Sequence, residues 1–247
     1  MVLRSNSNVA YIGTGSSTIV AIHGIQGTGA SWHPLANVMS SEVQWVLPNL
    51  QGRGAAWRGT TASDYSLESF AMEVIRVIKR HVPTQNYVLA GWSMGVSVAL
   101  ATVVQMQRMG GPLPQGLVLM SGSPVLQQTS WFHARDQTAL LKEIELRERR
   151  LALHEAADHH AVCLTWQAIR NSDQRSLLPL VTQPTLVIHG SEDQDAPLSH
   201  AQMLEHQLPR ARLHVIQEAG HGILVQNTAC VAQHLRTFLS EFPNFKS

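Results

Sequence analysis

Residues 87–104 of the chain read YVLAGWSMGVSVALATVV, and this stretch decides how the rest of the sequence is interpreted. An apolar run rich in strand-forming residues is followed by Gly-Trp-Ser-Met-Gly at 91–95 and then by apolar residues at helical spacing. A chain that changes from strand to helix over so few residues must turn sharply, and the two glycines let neighbouring backbone pass close to Ser93. The stretch predicts a strand, a tight turn that presents the Ser93 hydroxyl, and a helix.

The rest of the chain alternates between apolar strand patterns and helical patterns. Further strand candidates lie at 9–12, 18–22, 43–47, 117–120, 185–188 and 212–216. The strands between helices are apolar throughout, which is typical of strands covered on both faces. The alternation predicts an α/β fold with a mostly parallel sheet and helices on both faces.

Residues 125–180 break this alternation. Strand patterns are absent there, and apolar residues recur at helical spacing over about 136–157 and 158–170. A helical segment between two strands of an alternating chain indicates an insertion. We therefore predict an α/β core made of residues 1–124 and 181–247, with residues 125–180 as a small helical cap.

The charge balance excludes several classes of partner. The 247 residues carry a formal net charge of +1, and only 14% of them are charged. Such a chain has no global field that would attract nucleic acid or an anionic membrane. A neutral or modestly charged small molecule is the expected substrate.

The sequence also bears on the cellular compartment. Its two cysteines, Cys163 and Cys230, are far apart in apolar helical contexts and suggest neither a disulfide framework nor a metal site. The N-terminal residues are polar and lack a signal-peptide core, and no segment reaches about 18 uninterrupted apolar residues. These features predict a soluble, cytoplasmic protein.

Functional groups gather at the carboxyl ends of parallel strands, and four features of this sequence lie there. They are the Gly24-Ile25 turn, Ser93, the acidic loop at 192–195 and His221. A serine hydroxyl needs a base to become a good nucleophile, and a histidine base needs a carboxylate to hold its tautomer. The order serine, acid, histidine is the one that accompanies a nucleophile elbow.

Both partners of the serine have rivals. The acidic loop offers three carboxylates, Glu192, Asp193 and Asp195. The base competes with two other histidines, His189 and His214. We favour His221 because the glycines on both sides present its side chain freely. The residues alone leave the choice of carboxylate open.

Taken together, these motifs resemble the α/β-hydrolase fold family over nearly the whole chain. The resemblance rests on His23-Gly24, the loop Asn49-Leu50-Gln51-Gly52-Arg53-Gly54, the elbow at 91–95, residues 184–193 with Pro197, and Gly220-His221-Gly222. The family usually has aspartate where this chain has Asn49. By the family's spacing the acid is Asp193. The resemblance also implies an oxyanion hole, formed by the backbone N–H groups of Ile25 and Met94.

The same resemblance implies a reaction. The elbow and Ser121-Gly122-Ser123-Pro124 resemble the carboxylesterase branch that includes the pimeloyl-acyl-carrier-protein methyl ester esterase. We therefore expect a serine carboxylesterase that cleaves a small or medium-chain carboxylic ester through an acyl-enzyme, without a metal or organic cofactor. An acyl thioesterase, a C–C bond hydrolase or a cofactor-free haloperoxidase-like enzyme would use the same three residues. A ligand sensor with slow turnover is the alternative from another class.

The substrate pocket is expected beside the elbow and under the cap. Its candidate residues are His23, Gly24, Trp92, Trp131 and Trp166. Core packing explains the three tryptophans equally well.

An acyl-carrier protein is a further candidate partner. The cap contains the run Arg147-Glu148-Arg149-Arg150, which we interpret as the solvated face of a helix. The alternative interpretation is a basic dock for an acidic carrier. The cap as a whole is neutral, which weakens that alternative.

Overall fold

The structure is a computed structural model that describes residues 4–6, 8–82, 86–151, 153 and 155–245. Within these residues, an eight-stranded sheet forms the centre of the fold. Its strands are β1 (Arg4–Asn6), β2 (Val9–Ile12), β3 (Thr18–Ile22), β4 (Gln44–Pro48), β5 (Tyr87–Trp92), β6 (Gly116–Met120), β7 (Thr185–Gly190) and β8 (Ala211–Ile216). Their order across the sheet is β1-β2-β4-β3-β5-β6-β7-β8.

The pairing is antiparallel at one edge and parallel elsewhere. Strand β2 pairs antiparallel with both β1 and β4, and all pairs from β4 to β8 are parallel. In this register Ile22 lies opposite Gly91, and Trp92 lies opposite Met120. The carboxyl ends of the parallel strands therefore meet along one edge, where the loops after β3, β5, β7 and β8 converge.

Helices cover both faces of the sheet. Those of the described residues are α1 (His33–Val38), α2 (Leu67–His81), α3 (Met94–Arg108), α4 (Gln137–Leu151), α5 (His159–Ile169), α6 (Leu198–Gln207), α7 (Ile223–Gln226) and α8 (Thr228–Leu239). Side chains alternate across a strand. In β3, Ile19 and Ala21 belong to the core layer that contains α1 and α8, whereas Val20 and Ile22 belong to the layer that contains α2 and α3. Both faces are therefore buried, as the apolar strands predicted.

The strand-free part of the sequence contains α4 and α5, between β6 and β7. The two helices contact each other, and their buried residues, among them Leu140, Ile144 and Val162, join the core layer of α2 and α3. Asp158 caps α5, because its side chain accepts the Ala161 N–H at 3.0 Å. The division of the chain into a core and a cap stays a prediction.

The predicted mostly parallel sheet with helices on both faces is confirmed, with local differences. Strand β1 was not predicted, because its polar residues carry no strand pattern and it forms by pairing with β2. Strand β8 is half-buried instead of fully covered, since it lies at the edge of the sheet. The helix predicted over 136–157 ends at Leu151. None of the described helices is long and apolar enough to cross a membrane.

Candidate active site

Ser93 lies in the sharp turn between β5 and α3. Its backbone has φ 58° and ψ −121°, a conformation that residues with a side chain rarely adopt. The flanking glycines are required sterically. A Cβ at Gly91 would lie 2.3 Å from the carbonyl oxygen of Gly95, and one at Gly95 would lie 2.3 Å from that of Ile22. The Gly-x-Ser-x-Gly motif is therefore what allows the strand and the helix to meet at Ser93.

Three predicted side chains come together at this turn. Oγ of Ser93 lies 2.9 Å from Nε2 of His221. Nδ1 of His221 lies 3.0 and 2.9 Å from the two carboxylate oxygens of Asp193. All three residues are buried, and they follow β5, β7 and β8, whose carboxyl ends lie along the same edge of the sheet. This arrangement can take a proton from a hydroxyl and hold it on the imidazole.

Asp193 is held as a carboxylate. Its Oδ1 accepts the backbone N–H groups of Asp195 and Ala196, each at 2.9 Å. Burial raises its pKa, but the neighbouring His221 and these hydrogen bonds together bring the pKa of Asp193 below its ordinary value. An ionised Asp193 accepts a hydrogen bond from Nδ1–H of His221, which leaves Nε2 free to accept the Ser93 proton.

The contacts of the three candidate carboxylates distinguish Asp193 from Asp195 and Glu192. Asp195 is turned towards helix α4, where its Oδ1 lies 2.6 Å from Nη2 of Arg150 and 3.3 Å from Nε of Arg147. Glu192 is exposed. Of the three carboxylates in the loop, it is Asp193 that contacts His221.

The two rival histidines lie elsewhere. His189 is fully buried, and its Nε2 lies 2.8 Å from the carbonyl oxygen of Ala196 and 3.5 Å from Asp193. His214 stacks on His234 with ring centroids 4.3 Å apart. The structure therefore brings His221, as favoured from its flanking glycines, to Ser93.

The predicted oxyanion turn lies against the serine. A Cβ on Gly24 would be 3.1 Å from Cβ of Ser93, so a side chain at this position would crowd the serine. The carbonyl of Gly24 accepts Nδ1–H of His23 at 2.8 Å and the N–H of Gly27 at 3.2 Å. Because the peptide bond is trans, the N–H of Ile25 points to the opposite side from that carbonyl. Met94 is the first residue of α3, so its N–H has no acceptor within the helix.

His23 differs from its predicted place in the pocket. It has 0% of its surface exposed, and its second nitrogen, Nε2, accepts the N–H of Leu50 at 3.1 Å. Burial, together with the nearby charge of Arg53, lowers the pKa of His23 to about 3. A neutral His23 can donate a hydrogen bond at one nitrogen and accept one at the other. It therefore holds the turn from the protein interior and does not line the pocket.

Trp92 links the site to a cavity of about 650 Å³. Its Nε1 donates to the carbonyl oxygen of His221 at 3.1 Å, and the two rings lie 5.3 Å apart. Beside Gly222, the cavity is lined by the apolar residues Pro34, Leu151, Leu153, Leu224 and Val225. The cavity wall therefore includes Gly222, the residue after His221, and combines residues that follow β8 with residues at the end of α4.

The other two predicted pocket tryptophans lie in the helical segment. Trp131 and Trp166 are buried, and their ring centroids are 5.6 Å apart. Trp166 and Phe132 line a second cavity of about 480 Å³, together with Arg135 and Arg170. Trp131 lies under the guanidinium of Arg147, 5.9 Å from ring centroid to Cζ.

One group of side chains has the composition of a metal site. Ligand atoms of Asp193, Asp195 and His221 lie within 4.8 Å of one another. A cation there would compete with donors that these carboxylates already bind, namely Nδ1 of His221 and the guanidinium groups of Arg147 and Arg150. The donor set suits hydrogen bonding among these residues better than it suits a metal ion.

The interpretation of residues 147–150 as a solvated helix face is wrong for Arg147. Only 5% of this residue is exposed, and its Nη1 donates to Oε1 of Gln26 at 2.6 Å. The signal was present in the periodicity, because Leu140, Ile144 and Arg147 follow one another at i+4 and i+3 on one face of α4. Gln26 was missed as well, since a lone glutamine in a glycine-rich turn carries no pattern.

The fold and the arrangement at the strand ends define an α/β hydrolase. Residues 17–239 match the model of the thioesterase domain family. Because this match covers most of the chain, the protein belongs to that family.

Individual relatives have several activities. The chain is 25% identical over 234 residues to the pimeloyl-[acyl-carrier protein] methyl ester esterase of Nitrosomonas europaea, covering 83% of this chain and 88% of the relative. It is 24% identical over 241 residues to a putative carbamate hydrolase, RutD, of Yersinia enterocolitica, covering 86% and 84%. The structure of the esterase EaEST from Exiguobacterium antarcticum superposes with a TM-score of 0.78 at 23% identity, covering 93% and 94%. These likenesses support a hydrolase and the shared fold.

Proposed function

We propose that this protein is a serine hydrolase that cleaves small or medium-chain carboxylic esters through an acyl-enzyme on Ser93. The observation that carries the proposal is the 2.9 Å contact between Oγ of Ser93 and Nε2 of His221, with the carboxylate of Asp193 behind the imidazole. A serine beside a base that is itself oriented by a third group is the arrangement of an activated nucleophile.

The reaction has two halves. Oγ of Ser93 attacks the ester carbonyl carbon while its proton passes to Nε2 of His221, and the departing alcohol takes that proton. Water then attacks the acyl-enzyme, with His221 accepting a proton from the water and returning it to Ser93. Asp193 stabilises the imidazolium in both halves without itself being protonated.

The developing oxyanion is held by backbone donors. In this proposal they are the N–H of Ile25, in the turn after β3, and the N–H of Met94, at the start of α3. One such donor contributes about 3 kcal/mol to transition-state stabilisation. The donors are backbone groups, so replacing the Ile25 or Met94 side chain is expected to matter less than replacing Ser93.

The acyl or alcohol group would occupy the cavity beside Trp92. Its volume of about 650 Å³ lies within the range of small-molecule sites, and its apolar wall favours an aliphatic group. Leu151 and Leu153 come from residues 125–180, whereas Leu224 and Val225 come from the core. This supports our proposal that residues 125–180 act as a cap over the site.

A second candidate is hydrolysis of an acyl thioester, and the match to the thioesterase domain family supports it. The same steps apply, with a thiol as the leaving group. An acyl-carrier protein as partner stays a prediction. Its motivation is that the Nitrosomonas relative is named for an ester on such a carrier, and its test is to compare one acyl methyl ester free and attached to the carrier.

The test is steady-state hydrolysis of p-nitrophenyl esters and acyl thioesters of graded chain length, with Ser93→Ala as the blank. Ser63→Ala, at an exposed serine, is the matched control. We expect turnover by the wild type and the control, and none by Ser93→Ala. Equal turnover by Ser93→Ala would contradict the nucleophile. Stoichiometric capture of ligand without steady-state turnover would indicate a sensor instead of a hydrolase.

A further inference from the structure

Gln26, the residue after the proposed oxyanion donor Ile25, is bonded mainly to the helical segment. Its Nε2 donates to the carbonyl oxygen of Ile144 at 2.7 Å, and its Oε1 accepts Nη1 of Arg147 at 2.6 Å. Its own carbonyl oxygen accepts the N–H of Ala157 at 2.8 Å. Both ends of the side-chain amide and the backbone carbonyl therefore attach the turn after β3 to Ile144, Arg147 and Ala157.

Arg147 extends this attachment to a second loop. Its Nε lies 3.3 Å from Oδ1 of Asp195, and the side chains of both residues are almost fully buried. The guanidinium also lies 5.9 and 5.6 Å from the ring centroids of Trp131 and Phe132, which favours a fixed orientation for the cation. One side chain of α4 thus contacts the turn after β3 and the loop after β7.

The Asp195 end of this contact leads directly to the site. The backbone N–H of Asp195 donates to Oδ1 of Asp193 at 2.9 Å, and Asp193 in turn contacts His221. Strands β3 and β7 are separated in the sheet by β5 and β6, so the two loops belong to strands that do not pair with each other. Arg147 spans the gap between them.

We propose that Arg147 is a positioning residue. It holds the turn after β3 and the loop after β7 at the separation that catalysis requires, so that helix α4 contributes to the geometry of the active site. The inference rests on the proposed function. Arg147 touches Gln26 and Asp195 instead of the reacting atoms, and it acts through the neighbours Ile25 and Asp193. Catalytic groups displaced by about 1 Å lose on the order of 100-fold in rate, so loosening both loops lowers turnover more than substrate binding.

The first test is kinetic. Arg147→Met keeps an aliphatic stem among the rings but removes both donors, and we expect kcat on a small p-nitrophenyl ester to fall about 10- to 100-fold with KM within about threefold. Arg149→Met is the matched control, because Arg149 lies on the exposed side of the same helix and contacts Glu145. Its kinetics should equal those of the wild type.

Two further variants separate positioning from general packing. Gln26→Met removes the contact between Gln26 and Arg147 from the Gln26 side. Because residues that act as a unit are not additive, kcat of the double variant Gln26→Met, Arg147→Met should be no more than about twofold below that of the slower single variant. Arg147→Lys retains the charge near Asp195 and should recover part of kcat. It also serves as the second variant if Arg147→Met does not fold.

Hydrogen–deuterium exchange gives a readout that needs no substrate. In Arg147→Met or Arg147→Lys, amides of residues 23–28 and 193–197 should exchange faster than in the wild type, with both segments unchanged in Arg149→Met. Unchanged exchange in both segments, wild-type kcat, or a rise in KM at constant kcat would overturn the inference. Turnover that persists in Ser93→Ala would instead overturn the proposed function, and the exchange data would still decide the role of Arg147.

Discussion

Nε2 of His221 lies 2.9 Å from Oγ of Ser93, although the two residues are 128 positions apart in the chain. The contact forms because the loops after β5 and β8 lie at the same edge of the sheet. It places a base against a hydroxyl in a buried site, where water competes little for either group.

The first prediction concerns the hydroxyl itself. Ser93→Ala should lower kcat by at least about 1,000-fold, because the attacking oxygen is gone and the remaining groups can only assist water. The far-UV circular dichroism spectrum and the unfolding midpoint should stay close to those of the wild type. Hydrolysis of the best p-nitrophenyl ester, measured with both proteins, checks the expectation. A loss smaller than tenfold would be incompatible with Ser93 as the nucleophile.

The second prediction concerns backbone strain at the same residue. Because Ser93 has φ 58° and ψ −121°, the backbone here is strained for any residue that has a Cβ, alanine as well as serine. Ser93→Gly should therefore be more stable than Ser93→Ala by about 1 kcal/mol, although both variants are inactive. Urea unfolding at one pH measures the difference. An equal or lower stability of the glycine variant would show that the turn stores no such strain.

The third prediction separates two acidic residues of one loop. Asp193→Asn should lower kcat about 10,000-fold, because an amide cannot hold the tautomer of His221 that leaves Nε2 free. Asp195→Asn should retain at least about 100-fold more activity than Asp193→Asn, since Asp195 contacts Arg147 and Arg150 instead. Steady-state kinetics of the two variants, compared at one pH, decide the matter. The reverse ranking would make Asp195 the acid.

The fourth prediction concerns stability at acidic pH. His23 has an ordinary pKa of 6.5 when exposed, but burial lowers its pKa to about 3 in the folded protein. Below about pH 6 the unfolded chain binds a proton there that the folded protein does not, so the unfolding free energy falls as the pH is lowered. The slope should be on the order of 1 kcal/mol per pH unit between about pH 6 and pH 4.

Replacing the imidazole tests that assignment. His23→Gln should show a shallower loss of stability over the same window, because its side chain does not titrate. His206→Gln, at an exposed position of α6, is the control and should follow the wild type. Urea unfolding at several pH values gives the three curves. Parallel curves for the wild type and His23→Gln would locate the pH dependence in other groups.

The fifth prediction concerns the cavity beside Trp92. Val225 lines it and is 58% exposed, so Val225→Trp should fill space there without disturbing the core. We expect kcat/KM for an octanoyl ester to fall about tenfold relative to that for an acetyl ester. Val38→Trp, at another exposed valine, should leave the chain-length preference unchanged. An unaltered preference in Val225→Trp would place the aliphatic group elsewhere.

The fold was predictable because its signals are local. The apolar run at 87–90, the two glycines around Ser93 and the helical spacing after them each act within one element, and the same holds for the other parallel strands. Strand β1 escaped prediction because it has no apolar pattern and forms by pairing with β2. The strand is stabilised by pairing with β2, and the sequence of β1 does not indicate that partner.

The candidate site was predictable only in part. Ser93 and His221 stand between glycines, and such flanks are visible in the sequence. The place of His23 was not, because a histidine at a strand end can face a pocket or the backbone beneath it. Arg147 was misread for a similar reason, since its buried partners Gln26 and Asp195 lie 121 and 48 residues away.

The sequence by itself determined the alternation of the parallel strands with helices, the sharp turn at Ser93 and the set of groups that follow the strand ends. These features depend on backbone preferences and on the spacing of apolar residues, which act over a few positions. Tertiary structure alone decided which carboxylate contacts His221, that His23 holds the turn after β3 from the interior, and that Arg147 joins two loops. Those contacts depend on burial and on the meeting of distant segments, and no local pattern encodes them.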